Sequence, residues 1–471
     1  MKGTEVAVAL AALMLTACTG RALRPDVARV RSLAKVEVLP PVERDDVETE
    51  VSRDVQGLLR EPLTREGAVR IALLNNRNLR AALRELGVSR GRLMQAGLVA
   101  NPTFEVEALP ERDSDLELRV EYDVSSLLLA PLRQKAAGAE LEAARLGAAG
   151  EVVRLGYEVR SGYVDLQAAE QSLAIAQRTL DALAAGRDAA EALLAAGNVP
   201  ALEASRQIVA YERARIEVAK RELTLADARE HMQRLLGLYG EHTSFRIEPA
   251  LAELPDAPRD DRDLEARVLE ASLDMQAIAR RLEATGRRTG IARVSGYLPT
   301  VEVDAHALRL KPDHDHNQTG WRYGGGVAVE VPLFDRNQGT LRTAEAEFDV
   351  LRERQQALAI ELRSRAREAR NRLVSTHARA RTYQSTLVPA QRNVVRQSVL
   401  QYNAMQLSVF ELLSARRAEL EIELAHVAAK RDYFKAEAAL DAALAGKLVG
   451  ASRGADEGEG AMADGADGEE H

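Results

Sequence analysis

Side chains that could bind a metal ion are concentrated in one stretch of the second half of the chain. The stretch contains Asp304, His306, Asp313, His314, Asp315 and His316. Imidazole and carboxylate groups suit zinc, copper or nickel, and a metal-dependent hydrolase is one hypothesis. The Asp-His-Asp-His run, however, falls in a predicted loop rather than on rigid elements, which is also typical of a polar surface loop. We therefore expect no metal centre, with His306, His314 and His316 as the candidate ligands if one exists.

The single cysteine, Cys18, ends an export-signal pattern. Lys2 supplies a positive charge, residues 6–15 form a short apolar run, and Leu15-Thr16-Ala17-Cys18 resembles a bacterial lipobox. Cleavage before such a cysteine leaves it to carry several acyl chains, which together anchor a protein stably. We expect residues 1–17 to be a lipoprotein signal peptide and Cys18 to carry palmitate-type chains in the outer membrane. An ordinary secretory signal that contains a cysteine is the alternative.

Composition argues against several classes of protein. The 471 residues include 64 Lys and Arg against 72 Asp and Glu, so the net charge of -8 lacks the basic excess of a nucleic-acid binder. Neither a phosphate-binding glycine loop nor a paired catalytic constellation is found. We expect no enzyme activity, no cofactor and no nucleic-acid partner.

The elements that position these residues follow one pattern that occurs twice. Pro102 and Pro299 open strand pairs, and Gly237 and Gly446 end long helical stretches, at offsets of roughly 200 residues. The predicted organisation begins with a lipid-anchored linker over 18–62 and ends with an acidic disordered tail over 448–471. The first repeat covers 63–245, with a strand pair at about 102–131 and a helical hairpin at 131–237. The second repeat covers 246–447, with a strand pair at about 299–332 and a helical hairpin at 338–446.

The strand pairs alternate apolar and charged residues, as in Phe104, Glu105, Val106 and Glu107. This pattern is typical of a membrane barrel strand with lipid on one side and water on the other, although a half-buried soluble hairpin produces it as well. Four strands cannot close a barrel, and an open edge in lipid is costly. The chain must therefore oligomerise, and two copies would supply eight strands whereas three would supply twelve.

The helices set the length scale. Residues 131–195 and 338–403 would each form a helix of about 100 Å. Val152, Val159, Leu166, Leu173 and Leu180 recur every seven residues, which predicts a coiled-coil seam. Pro389 is expected to interrupt and kink the second long helix. Helices over about 201–236 and 409–445 return and complete two hairpins.

These motifs together resemble the TolC-like outer-membrane efflux proteins of the lipoprotein type. The resemblance rests on Ala72-Leu73-Leu74-Asn75-Asn76-Arg77-Asn78-Leu79, on the Asn101-Pro102 strand entry, on Tyr402, Ser408 and Glu411-Leu412-Leu413, and above all on Val331-Pro332-Leu333-Phe334-Asp335-Arg336-Asn337-Gln338-Gly339. It covers about residues 60–447. The last motif most resembles branches associated with heavy-metal efflux.

The resemblance implies a mainly α-helical chain with membrane β-strands, whose homotrimer forms a 12-stranded β-barrel on an α-helical periplasmic tunnel. Such a channel is the passive exit duct of a tripartite pump, with a periplasmic adaptor protein and an inner-membrane RND-type transporter as partners. The two helix turns are the implied adaptor-docking tips. Their candidate residues are Gly197, Val199, Pro200, Leu202, Met405, Leu407, Ser408 and Glu411.

Two points depart from the family pattern or leave it open. Met405 stands where relatives usually have glycine, and no acidic residue lies between Glu368 and Glu411 to form an acidic gate, so Asp181, Asp188 and Glu191 are the candidates for that role. A periplasmic coiled-coil scaffold or tether without a pore is the alternative function. Export of proteins by a type I system is a variant of the duct hypothesis.

Overall fold

A computed structural model describes residues 23–40, 47–108, 114–259, 263–310 and 320–449. The signal peptide, Cys18, His314, His316 and the acidic tail from residue 450 lie outside the described residues. The chain divides into two compact units. The strand unit comprises the N-terminal segment through Ser52 with residues 77–151 and 273–359, and the helical unit comprises residues 53–76, 152–272 and 360 onward.

Helices make up most of the described chain. Their bounds are α1 Arg24–Ala34, α2 Val47–Leu59, α3 Arg65–Asn75, α4 Arg77–Gly97, α5 Ser125–Ala195, α6 Ala201–Leu236, α7 Leu264–Ala271, α8 Leu273–Ser295, α9 Gln338–Thr382, α10 Val388–Asn403 and α11 Val409–Leu444, with a 3-10 turn at Gly240–Thr243 and a π turn at Tyr383–Leu387. None of the described helices is both long and apolar enough to cross a membrane.

The first long helix starts earlier than predicted. It begins at Ser125 instead of Pro131, so the first strand pair ends at Asp123 and Pro131 lies inside α5. The Asp123 carboxylate accepts a hydrogen bond from the Ser126 backbone N–H, 3.2 Å away, which satisfies one of the free donors of the first helical turn. Pro131 is the seventh residue of this 71-residue helix, past the first turn, so it removes one backbone hydrogen bond and crowds the carbonyl four residues earlier.

The second long helix is interrupted before Pro389, as predicted, and the interruption is a single π turn. The Val388 N–H bonds to the Tyr383 carbonyl, five residues back. Because proline has no N–H to offer a carbonyl four residues earlier, a wider turn immediately before it absorbs the mismatch. The helical register then resumes to Asn403.

Four strands form one antiparallel sheet in the order β1-β2-β3-β4. The strands are β1 Thr103–Ala108, β2 Ser114–Asp123, β3 Thr300–Leu310 and β4 Trp321–Glu330. The predicted strand pairs are present, and β2 also pairs with β3, so the sheet joins the two repeats. The outer strands β1 and β4 each leave one edge unpaired within the described part of this chain.

The first three positions of the predicted seam are buried in the helical unit, since Val152, Val159 and Leu166 are each at most 1% exposed. The last two, Leu173 and Leu180, are half-buried. Gly162 lies against α6, because a Cβ there would stand 3.2 Å from a Leu235 methyl carbon. Small residues on α5 therefore allow α6 to approach closely, as the sequence pattern indicates.

Candidate functional site

Among the residues whose side chains the structure describes, eight acidic residues lie on the charged face of the sheet. They are Glu105, Glu107, Glu117, Glu121, Asp123, Glu302, Asp304 and Glu330, with Arg119, His306 and Arg322 among them. Arg119 bonds Glu117 at 2.8 Å. Alternation along extended strands places all of these side chains on one side. The face is therefore suited to line a path for water and ions rather than a packed core.

A glycine run in β4 makes room for a polar pair on that face. His306 Nδ1 lies 3.1 Å from Asp304 Oδ2. A Cβ at Gly324 would come within 2.4 Å of His306 Nε2, and one at Gly326 within 2.4 Å of Asp304 Oδ1. The two side chains thus lie flat over the neighbouring strand.

Within the described part of the chain, no metal centre forms around His306. Arg119, a cation, is its register partner on β2. Among the described residues, no three His, Cys, Asp or Glu side chains are grouped so that they could hold a metal ion. The other two candidate ligands, His314 and His316, lie outside those residues.

The opposite face of the sheet is apolar and uncovered. Tyr323 is 81% exposed, Phe104 72% and Val106 68%, and Val327 and Val329 continue the same row. A contiguous exposed apolar surface of this kind marks a contact with lipid or protein.

The two helix turns are called the first tip (residues 197–203) and the second tip (residues 405–411). In the first tip, Gly197 adopts a left-handed φ of 75°. Its N–H bonds to the Leu194 carbonyl, and the Asn198 N–H bonds to the Leu193 carbonyl. This is a Schellman-type helix end, which glycine favours because it has no Cβ.

The second tip has the same geometry without glycine. Met405 has φ 59°, its N–H bonds to the Tyr402 carbonyl, and the Gln406 N–H bonds to the Gln401 carbonyl. The departure at Met405 therefore does not change the turn, although a left-handed non-glycine residue costs roughly 1–2 kcal/mol. Its side chain is 95% exposed.

The tips differ in how the returning helix starts. Pro200 precedes α6 and offers no side-chain cap, whereas Ser408 and Glu411 form a capping box at the start of α11. Hydrogen bonds from the Ser408 backbone N–H and hydroxyl hold the pKa of the Glu411 carboxyl below its usual value. The other tip candidates, Val199, Leu202 and Leu407, are at least partly exposed.

Arginines of the second long helix form ion pairs within the helical unit. Arg379 pairs with Asp432, and Arg392 lies 3.5 Å from Glu423. Near the first tip, Asp188 pairs with Arg187, while Asp181 and Glu191 are exposed. An acidic gate formed by Asp181, Asp188 and Glu191 stays a prediction.

Sequence reasoning missed a buried charge cluster in the strand unit. Asp26 of α1 is 0% exposed, and its carboxylate accepts hydrogen bonds from Arg90 at 2.5 Å and from Arg145 at 2.5 Å. Burial by itself would raise the pKa of Asp26, but these guanidinium groups hold it below the ordinary value. The residues lie far apart in sequence, so no local pattern could have paired them.

Comparison with known proteins gives concordant matches. Residues 265–446 match the family model described as outer membrane efflux protein. The cobalt-zinc-cadmium resistance protein CzcC of Cupriavidus metallidurans is 26% identical over 387 residues, which cover 81% of this chain and 89% of that protein. The cation efflux system protein CusC of Escherichia coli K12 is 29% identical over 203 residues, covering 40% and 41% of the two chains.

Solved structures share the fold. The Vibrio cholerae outer membrane protein VceC has a TM-score of 0.65 at 19% identity, covering 82% of this chain and 97% of that one. The Campylobacter jejuni CmeC outer membrane channel has a TM-score of 0.66 at 14% identity, covering 89% and 92%. These matches confirm the predicted fold class, a mainly helical chain with membrane-type β-strands, as in those channel structures.

Proposed function

The chain is a TolC-like outer-membrane efflux protein and as such the exit duct of an efflux pump. From this premise we propose which of its residues form the duct, anchor it in the membrane and connect it to the rest of the pump. The observation that carries the proposal is the sheet, which is apolar and exposed on one face and densely charged on the other. Three copies would close the free edges of β1 and β4 and turn the charged faces towards a common lumen.

The duct needs no energy source of its own. The inner-membrane transporter drives the substrate into the channel. The polar wall of the channel offers groups that a hydrated ion can contact in place of water. The acidic residues on the charged face of each copy favour cations by long-range attraction. Since the curated relatives are named for cobalt, zinc, cadmium and cation efflux, we infer that divalent heavy-metal cations are the cargo.

The two tips are the docking surface for the periplasmic adaptor. Helix α5, about 107 Å long, begins two residues after β2 and ends two residues before Gly197. At the tips, the side chains of Val199, Leu202, Met405 and Leu407 are available for apolar contact. Ser408 and Glu411 cap the returning helix of the second tip, and Pro200 precedes the returning helix of the first tip.

We propose that the domain organisation and the lipid anchor are those predicted from the sequence, except that the first strand pair ends at Asp123. Residues 1–17 are the signal peptide, and Cys18 carries the acyl chains, five residues before the described N-terminal segment begins at Leu23. The buried Asp26 cluster supports this role, because it fixes α1 to α4 and α5 and so limits how far the anchor can move.

Single-channel recording tests the duct directly. The purified chain is reconstituted into planar bilayers, and the mass of the oligomer is measured in detergent. Discrete conductance steps from a trimer, with cations more permeant than anions, are expected. A non-conducting monomer that remains in the aqueous phase would instead support the tether function.

Adaptor docking is tested by charge substitution at the exposed apolar tip positions. Leu202→Glu with Met405→Glu should reduce metal resistance in cells and weaken cross-linking to the adaptor, while single-channel conductance stays unchanged. Tyr239→Glu is the matched control, because Tyr239 is 70% exposed and lies outside both tips. Unchanged resistance and cross-linking in the double variant would contradict docking at the tips.

A further inference from the structure

The segment that connects β4 to α9, residues 331–337, is called the junction loop. Its large apolar side chains are mostly exposed to solvent. Phe334 is 92% exposed, Leu333 63% and Val331 58%. Three large apolar side chains displayed within four residues form a patch that an aqueous surface rarely carries without a partner.

Polar groups brace the junction loop from within. Asp335 Oδ1 accepts the Asn337 backbone N–H at 2.9 Å. Gln338 Oε1 accepts the Arg336 backbone N–H at 2.7 Å, and Gln338 Nε2 donates to the Phe334 carbonyl at 3.2 Å. These hydrogen bonds between side chains and the backbone favour one turn conformation. In that conformation the Phe334 side chain is exposed to solvent.

A second set of contacts fixes the loop to the end of α8. Asn337 Nδ2 donates to Ser295 Oγ at 2.7 Å. The Arg336 carbonyl oxygen comes so close to Gly296 that a Cβ there would overlap it at 2.2 Å. Glycine at 296 is thus required by the close approach of two backbones. These contacts hold the backbone of the loop, which carries Phe334, on its polar side.

The sheet register places the junction loop at one end of the sheet, where an end of each of the four strands is found. Thr103 pairs with Glu121, Asp123 with Glu302, and Thr300 with Glu330. The start of β1, the end of β2, the start of β3 and the end of β4 therefore lie together. Further exposed apolar residues of the strand unit flank the same strand ends, namely Leu98 at 57%, Val99 at 48%, Leu128 at 63% and Tyr297 at 74%.

The loop also continues the apolar face. Val331 follows Val327 and Val329 in the two-residue alternation that defines this face. In the proposed duct this face turns towards lipid, so the patch is continuous with the proposed lipid-facing surface. Asp335 and Arg336, which follow Phe334 directly, supply charged groups at the level where the apolar surface stops.

We propose that Val331, Leu333 and Phe334, together with Tyr297, insert into the bilayer at the boundary between headgroups and acyl chains and fix the depth of the duct in the membrane. The proposal rests on the membrane duct described above. Aromatic residues favour this boundary because they combine an apolar ring with a polarisable or polar edge. A lipid surface, rather than a neighbouring copy of the chain, is the occupant because the patch extends the lipid-facing row.

Single-tryptophan fluorescence tests the insertion. Trp321 is the only tryptophan, so Trp321→Phe gives a silent background into which Phe334→Trp and, separately, Tyr297→Trp are introduced. Each full-length variant is reconstituted into vesicles that contain phospholipids brominated near the headgroup end or near the tail end of the acyl chains. We expect blue-shifted emission, quenching by bromine that is stronger near the headgroup end, and protection from aqueous iodide.

The matched control is Tyr239→Trp in the same background, an exposed position in the helical unit, which iodide should quench and brominated lipid should not. Iodide quenching at position 334 would overturn the proposal. Protection from both quenchers would also overturn it, because it would show that a second copy of the chain covers the patch.

Conductance of the same vesicle preparations separates the two hypotheses. Channel steps combined with iodide quenching at position 334 would overturn the insertion and leave the duct intact. Lipid quenching without channel steps would overturn the duct and leave the insertion intact.

Discussion

The two repeats agree at their tips and differ where the strands meet the helices. At the tips, Gly197 and Met405 adopt the same left-handed conformation and the same pair of backbone hydrogen bonds. At the strand ends, β2 passes into α5 through Val124 alone, whereas β4 reaches α9 through the junction loop. The comparison shows that the two copies of the hairpin keep the same backbone geometry at the helix turns. They differ at the connection between strand and helix, where the second copy has a longer loop with an apolar surface.

The N-terminal helix marks a further difference, since α1 packs against α4 and α5, both elements of the first repeat. Asp26→Ala would leave Arg90 and Arg145 without their shared carboxylate in a partly buried site. We expect a loss of about 3–5 kcal/mol in the free energy of α1 docking, typical of breaking one side of a buried ion pair. Limited proteolysis of the N-terminal segment measures it, with Arg31→Ala as the exposed control.

The same cluster predicts an acid-sensitive contact. The folded-state pKa of Asp26 is depressed, so its contribution is fully present above the unfolded pKa of about 4 and is lost as the pH falls through the folded value. Protease sensitivity of the segment should therefore rise only in strongly acidic buffer. A rise between pH 7 and 5 would show that another group controls docking.

The end of α6 tests how strictly a repeat depends on glycine. Gly237 has φ 67°, and a Cβ there would lie 2.8 Å from the Asn75 carbonyl oxygen. Gly237→Ala should cost about 2 kcal/mol or more, because the left-handed strain adds to the backbone contact. Heat dissociation of the proposed trimer reports the loss. Gly339→Ala, at a helical position with nothing within 4 Å, should not lower the dissociation temperature, because alanine favours a helix more than glycine does.

The capping box tests the difference between the returning helices. Ser408→Ala removes the acceptor for the Glu411 N–H and should cost about 1 kcal/mol, making the second tip resemble the uncapped first tip. Amide hydrogen exchange in the first turn of α11 measures the effect. If exchange there stays slower than in the first turn of α6, the cap is not the source of the difference.

The smallest expected effect concerns the tip residues themselves. Exchanging them should shift stability in opposite directions, with Gly197→Met costing about 1 kcal/mol and Met405→Gly stabilising by less than that. Both values come from thermal dissociation of the trimer. Equal loss in both variants would mean that Met405 makes a contact in the assembly that outweighs its backbone strain.

Much of the fold could be predicted from local patterns. The apolar and charged alternation of the strands and the turn residues before Ala201 and Val409 predicted the strand pairs and both returning helices closely. The start of α5 could not be predicted, because Pro131 suggested a boundary and the Asp123 cap that creates the real one depends on the local turn geometry. The candidate metal ligands His306, His314 and His316 stay a prediction, because the last two lie outside the described residues.

The sequence by itself determined the duplicated helix and strand pattern, the two-faced strands and the need for further copies of the chain, because periodicity and the cost of open edges in lipid are local properties. Only the tertiary structure decided the pairing of β2 with β3, the left-handed turn at Met405, the burial of Asp26 between two arginines and the projection of Phe334. Each of these depends on groups that are distant in sequence or on a backbone conformation that residue type alone does not impose, so packing had to select it.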